Sequence, residues 1–405
     1  MTQKLAISRT EFVALCAMMF ATIAFSIDAM LPALPTIGQE LSPNDLNKAQ
    51  LIVTSFVLGM GLGTFFTGPL SDHFGRKPVL MGGALVYSIC AFVGWFSQSL
   101  EMVLLARFFQ GVGAAGPRIV TMAMIRDLFS GREMARIVSF AMMIFTIVPA
   151  IAPSLGAVII AFAGWRGVFI SFIVFSVISV LWIGLRLPEP LPETQRRRFG
   201  LTQLTDGIIE MWRMPTVRVT VIVQALCFAG LFGMISSVQQ VYDTTFGRAE
   251  TFPLWFGAIA LVSGSASLLN ASLVMRLGMR FLITFSLGMQ IVFCALMLLC
   301  ALILPMGNLL FAAFVIWQTS VFFMVGMTLG NLNSIAMEPL GHMAGTAASV
   351  MGAFATILGG AMAIPIGLAF DGTVVPLAFG IGAACTIAFG LMLYMKRIEE
   401  FEGRP

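Results

Sequence analysis

Residues 68–77 read GPLSDHFGRK. The stretch sets Asp72, His73, Arg76 and Lys77 within ten residues of a chain that is 59% hydrophobic and only 10% charged. Charge so concentrated needs a place that water can reach. The flanking runs, about 49–70 and 78–97, are both apolar. Each is long enough to cross a bilayer, for which about 20 residues suffice. The stretch therefore reads as the turn between two membrane spans.

Twelve such runs are found on working outward from it. They lie at roughly 12–34, 49–70, 78–97, 102–125, 136–160, 166–187, 217–241, 252–274, 281–304, 307–333, 344–369 and 373–395. A mean hydropathy of +0.96 agrees with them. A soluble domain carries about a quarter charged residues. The runs are continuous and lack the alternation of a membrane β-barrel. The expected fold is all-α and integral to the membrane, with twelve transmembrane helices. No cleavable signal is evident, so the first run is expected to stay in the chain.

Lys and Arg orient the helices, because they gather on the cytoplasmic side. With both termini inside, eighteen fall in inner segments and three, Lys48, Arg166 and Arg248, in outer loops. Arg107 and Arg118 lie inside the fourth span. The longest polar stretch, 188–216 with Arg196–Arg198, separates two sets of six helices at 1–187 and 217–405. A faint repeat links the sets. MRLGMRFL at 275–282 aligns Gly278 with Gly75 and Arg280 with Lys77, at an offset of about 203 residues, and Met275 replaces Asp72. Parallel repeats of this kind are a transporter feature.

Several function classes drop out. The net charge of +4 is small and dispersed, so no nucleic-acid partner is expected. The six Cys sit in apolar runs without ligand-like spacing and read as buried free thiols. No metal or cofactor is expected. GVGAAG at 111–116 matches a dinucleotide-binding pattern but follows no strand and lies in mid-membrane, so no nucleotide role is expected. No catalytic pattern or nucleotide-binding domain is present. A gradient-driven transporter is expected rather than an enzyme.

The motifs resemble those of a known family. Gly68 to Lys77 is similar to the helix 2–3 signature of the major facilitator superfamily. RFFQGVGAAG, 107–116, resembles its helix 4 motif, and VPAIAPSLG, 148–156, its helix 5 motif in the Pro-rich form of drug antiporters. DAMLPALP, 28–35, resembles the end of helix 1 in the Bcr/CflA group. Three further stretches, starting at Gly131, Met337 and Phe370, are similar to the CcoA-like branch of that group. The resemblance implies two pseudo-symmetric six-helix halves in a bacterial inner membrane. It also implies that the 72–77 turn stabilises one transport state through charge pairs, with Arg126 and Asp127 as partners.

The residues suggest roles of their own. Asp28 is the sole acid in the interior of an expected span. A carboxylate there is costly unless it meets water or a partner, which makes it a candidate proton carrier or solute contact. Arg107 and Arg118 are eleven residues apart, about three helical turns, and fall on roughly one face. Arg107 with Gln110 suits an anion or carbonyl, and Arg118 suits carbonyls freed by Pro117. Pro149, Pro153 and Gly156 are candidate bend points, and Asp72, Arg76 and Lys77 candidate gating residues on an exposed turn. Phe25, Gln239, Gln240, Trp317 and Asn333 are candidate cavity residues. Asn331 reads equally as helix glue.

The resemblance to the CcoA-like branch implies three possible solutes, and the residues leave the choice open. Riboflavin-like vitamin uptake is the first, since aromatic faces and amides suit a planar heterocycle. Proton-coupled multidrug efflux is the second. Copper import is the third, and it fits poorly: the Met-x-x-x-Met of the copper importers is broken here, with Val238 at the fourth place after Met234, and both His lie outside the spans. The expected partners are a small-molecule solute, protons and the lipid bilayer, and a monomer is expected.

Overall fold

The structure is a computed structural model that describes residues 7–196 and 201–401. Lys4, Arg197, Arg198 and Arg404, four of the eighteen inner cations, lie outside the described residues. Every regular element among the described residues is helical. Apolar sequences without competing polar groups satisfy their backbone within the helix, as lipid requires.

The first half holds α1 (Arg9–Asp28), the short α2 (Leu34–Leu41), α3 (Leu51–Phe74), α4 (Arg76–Phe96), α5 (Leu100–Leu128) and α6 (Gly131–Arg186). Ser8 caps α1 by accepting from the Glu11 N–H at 3.1 Å, and Ser99 caps α5 by accepting from Met102. A single helix α6 would run 56 residues, but Gly164, at φ 65° and ψ 179°, breaks it into two legs. The linker contributes α7 (Leu201–Arg213). The second half holds α8 (Pro215–Gln240), α9 (Phe252–Leu277), α10 (Met279–Ile303), α11 (Asn308–Met337), α12 (Ala344–Leu368) and α13 (Val375–Phe401).

Ten segments among the described residues are long and apolar enough to cross a membrane by that measure alone. It counts the legs of α6 once and omits α5, whose Arg107 and Arg118 lower its hydropathy. With α5 and both legs of α6, twelve such legs are found among the described residues. Large apolar side chains point outward along them, among them Phe162, Leu185, Leu268 and Leu302. That is the arrangement of a bundle solvated by lipid.

The chain forms two compact units, Met1–Asn44 with Ser55–Gln203, and Asp45–Thr54 with Leu204–Pro405. The division falls inside the polar linker, with one exception: the start of α3 groups with the second unit. Helix α7 is amphipathic and lies on that unit, with Met211 buried and Trp212 stacked on Phe354 at 5.2 Å. The repeat seen in the sequence is present in the backbone. Gly75 (φ 104°, ψ 161°) and Gly278 (φ 81°, ψ 154°) adopt the same left-sided conformation between consecutive spans, one that side chains with a Cβ rarely reach. Cys16, Cys227, Cys294 and Cys385 are buried, but Cys90 and Cys300 are only partly so, since their helices α4 and α10 turn an apolar face outward.

Candidate functional site

Asp28 is the last residue of α1. The chain turns there into a tight 3-10 turn, Leu31–Ala33, because Pro32 cannot continue the helix. Asp28 is 4% exposed, and Ala29, Met30 and Leu31 are fully enclosed. Among the described residues it has no hydrogen-bond or ion-pair partner. The first leg of α6 closes over this corner. A Cβ on Gly156 would run into the Ala29 carbonyl oxygen, so α6 and α1 touch backbone to backbone beside the acid. Pro149 is half-buried and Pro153 buried on the same leg.

Arg107 lies deeper in the same unit and is fully buried. Its Nη1 donates to Gln110 Oε1 at 2.7 Å and its Nη2 to the Ser26 carbonyl at 2.8 Å. The guanidinium lies 4.2 Å from the centroid of the Phe56 ring and 5.6 Å from that of Phe172. The Ser26 hydroxyl and Tyr87 hydroxyl are 2.6 Å apart. Ser26, Tyr87, Arg107 and Gln110 thus join α1, α4 and α5 in one network, which sequence reading did not assemble. A hydroxyl in an apolar run carries no signal of its partner. Arg118, expected on the same face, is exposed and makes no hydrogen bond or ion pair with a described residue. The carbonyls near Pro117 therefore do not receive it. Phe25 is half-buried and packs on Phe172 and Phe175 at 5.5 and 5.6 Å.

The glycines of 111–116 serve helix packing. A Cβ on Gly111 would strike the Phe56 carbonyl, and one on Gly113 the Gly83 carbonyl. Helix α5 thereby comes close to both α3 and α4.

In the second unit, α8 continues into a π turn over Val241–Thr245, a form frequent at functional sites. The Tyr242 hydroxyl donates to Gln318 Oε1 on α11 at 3.0 Å. Gln318 Nε2 and Gln239 Oε1 are buried and lack a hydrogen-bond partner among the described residues. Gln239 precedes Tyr242 by three residues and so shares its helix face. Gln318 was not singled out by sequence reading, because a lone amide in an apolar run reads as packing. Trp317 is buried with its indole N–H on Cys294 Sγ at 3.3 Å. Gln240 is half-buried and bonded to Gln50 and Asn47. Asn333 is exposed, whereas Asn331 and Asn270 exchange amide bonds between α11 and α9, the nearer at 2.7 Å.

The GPLSDHFGRK turn is more enclosed than its charge suggests. Arg76, expected on an exposed turn, is only 4% exposed. Its Nε donates to Asp127 Oδ2 at 2.8 Å, and its Nη1 to Ser71 Oγ at 2.7 Å and to Asp72 Oδ1. Two carboxylates hold one buried guanidinium, which offsets the cost of removing it from water. Arg126 is exposed and makes no such contact with a described residue. A third acid was missed. Glu189, just past α6, accepts from the backbone N–H of Arg76 at 2.8 Å and of Lys77 at 2.9 Å. It does for α4 what a capping side chain does elsewhere, at the position where Gly75 has none. Lys77 Nζ donates to the Gly184 carbonyl in the last turn of α6 at 2.6 Å. The knot therefore binds the ends of α3, α4, α5 and α6.

Residues 14–364 match the family model of the Major Facilitator Superfamily. The chain belongs to that superfamily. Among its relatives, a bicyclomycin resistance protein homolog of Haemophilus influenzae is 27% identical over 386 residues, 94% of each chain. The multidrug resistance protein MdtL of Shewanella oneidensis is 28% identical over 338 residues, 80% of this chain and 81% of that one. The solved D-xylose-proton symporter superposes with a TM-score of 0.76 over 95% of this chain and 97% of its own, at 13% identity. That likeness carries the fold alone. As a superfamily member, the chain is a multi-pass membrane transporter of small molecules. Asp28, the Arg107 network and the Arg76 knot are thus features of a transporter half.

Proposed function

We propose that the protein exports drug-like organic solutes across the bacterial inner membrane in exchange for protons, with both termini in the cytoplasm. The observation that carries this reading is Asp28: an acid at the broken end of α1, enclosed and without a partner among the described residues. An unpaired carboxylate is expensive at such a place. Its loss and gain of a proton are therefore tied to the arrival of water or of a cationic solute, and that competition is the core of an antiport mechanism. The full-length relatives named for bicyclomycin and multidrug resistance supply the solute class.

Gln239 Oε1 and Gln318 Nε2 are an open acceptor and an open donor, which we assign to the polar edge of the solute. Within the second unit, Gln240, Trp317 and Asn333 belong to the same proposal; within the first, we assign Phe25 to solute contact and Arg107, Gln110 and Arg118 to coupling. Asp72, Arg76, Lys77, Asp127 and Glu189 act as the gate, with Arg126 contributing charge, while Pro149, Pro153 and Gly156 set the shape of α6. The relatives' names carry no support for riboflavin uptake or copper import.

Expression in a bicyclomycin-susceptible bacterium tests the reading. Wild type is expected to raise the inhibitory concentration several-fold, and Asp28→Asn to abolish that gain at equal membrane expression. Rescue of a riboflavin auxotroph, with susceptibility unchanged, would replace efflux by vitamin uptake.

A further inference from the structure

The second leg of α6 carries the same device at each end. At one end, Trp182 Nε1 donates to Glu11 Oε1 at 3.2 Å, and Arg186 reaches the same carboxylate through Nε at 2.8 Å and Nη2 at 2.9 Å. At the other, Trp165 Nε1 donates to Glu40 Oε2 and Arg166 Nη1 to Glu40 Oε1, both at 2.7 Å. Arg166 also donates from Nη2 to the Ser97 carbonyl at 3.1 Å, and its guanidinium lies 4.1 Å from the centroid of the Trp165 ring. Each clamp is one glutamate held by one indole and one guanidinium. At about 1.5 Å per residue the two Trp lie about 26 Å apart along the leg, close to the thickness of a bilayer core, about 30 Å. The clamps thus fall near the two faces of the membrane, where Trp is favoured.

The two glutamates bracket Asp28. Glu11 is in the first turn of α1, and Glu40 is in the last turn of α2. All of these residues belong to the first unit. The Glu11 clamp holds a long helix that is also packed through Phe12, Leu15 and Cys16. The Glu40 clamp holds a different kind of segment. Helix α2 has only eight residues, and isolated helices below about 12–15 residues are marginal. It is seated through Leu34 and Ile37, while Gln39 and Glu40 are exposed at its far end. The turn between Asp28 and α2 has one other close tie to α6, where the Ala29 carbonyl meets Gly156. The backbone that follows the acid is therefore fixed to α6 at two points, one on each leg.

We propose that Glu40, Trp165 and Arg166 are positioning residues for Asp28: their clamp seats α2 on α6 and so sets how much water reaches the acid. With Glu40 free, α2 and the turn pivot about Ala29. The ion pair is partly exposed, and such pairs add little to stability. The clamp acts on place, so the global melt is expected to stay near wild type. Its consequence for transport rests on the reading of Asp28 as the proton carrier; the position of the acid does not.

The test uses no solute. Protein purified in detergent is treated with a water-soluble carbodiimide and glycine ethyl ester. Amidation of Asp28 is read by peptide mass spectrometry at low conversion, counting only chains whose residue 40 is unmodified. Glu40→Ala is expected to speed amidation of Asp28 several-fold. Glu40→Gln keeps a carbonyl oxygen for the Trp165 indole and is expected to return the rate close to wild type. Adding Trp165→Phe to Glu40→Gln removes that bond and is expected to restore the fast rate; this double variant carries the same test if Glu40→Ala does not purify. Glu11→Ala, which opens the matching clamp at the other end of α1, is expected to leave Asp28 at the wild-type rate. An unchanged rate at Asp28 in Glu40→Ala and in the double variant, in protein that melts as wild type, would overturn the assignment. So would equal acceleration by Glu11→Ala, since the acid would then respond to any loosening of α1. A failed bicyclomycin assay with accelerated amidation would leave the clamp standing and remove only the role of Asp28 in efflux.

Discussion

At the scale of single residues, the sequence marks which side chains matter better than it marks what they touch. Asp28 stands out as an acid in an apolar run, and the structure encloses it. Arg107 stands out for the same reason, but its partners, the Ser26 carbonyl and Gln110, are set by how three helices cross. Gln318 and Glu189 are invisible for the complementary reason: each acts through a partner more than 70 residues away in the chain. Two predictions belong here. Arg107→Lys keeps the charge but loses the fork that reaches both partners. It is expected to cost about 1.5–3 kcal/mol, the loss of a hydrogen bond to a charged group, read as a lower Tm in detergent; an unchanged melt would mean that the fork contributes nothing. Gly156→Ala forces α6 off the Ala29 carbonyl. Overpacking of this kind costs about 1–3 kcal/mol, and transport should fall with it. Wild-type flux and stability would show that the corner beside Asp28 tolerates displacement.

At the scale of elements, the helices are legible because lipid imposes one length and one backbone solution on every span. The breaks are legible where a residue enforces them, as at Pro32. Gly164 is not, because a lone glycine between two apolar legs reads the same whether the helix bends there or continues. The turn at 68–77 shows both sides. Its repeat at Gly278 is present in the backbone, yet the burial of Arg76 depends on Asp127 and on a cap from Glu189. Glu189→Ala is expected to cost about 0.5–2 kcal/mol, the range for a lost helix cap, measured by thermal melting. Asp72→Asn removes one carboxylate from Arg76 and leaves Asp127. It is expected to slow flux while solute affinity stays near wild type, seen as a fall in kcat with little change in KM. A large affinity loss with normal turnover would contradict a gating role for the knot.

At the scale of the molecule, the sequence carries the class and the structure carries the division of labour. Twelve legs in two sets follow from hydropathy and the polar linker. That the first residues of α3 group with the second unit does not, since it rests on neutral amides that look like ordinary loop residues. In the proposed function, Asp28, which has no partner among the described residues, and the Arg-centred knot serve one proton-driven exporter. Its most direct test is radiolabelled bicyclomycin uptake into proteoliposomes holding the purified protein, with the lumen made acid. The account predicts accumulation that collapses when nigericin dissipates the proton gradient. It also predicts that Asp28→Asn accumulates nothing yet still exchanges labelled for unlabelled drug. Accumulation indifferent to the gradient, or an Asp28→Asn protein that accumulates like wild type, would contradict it.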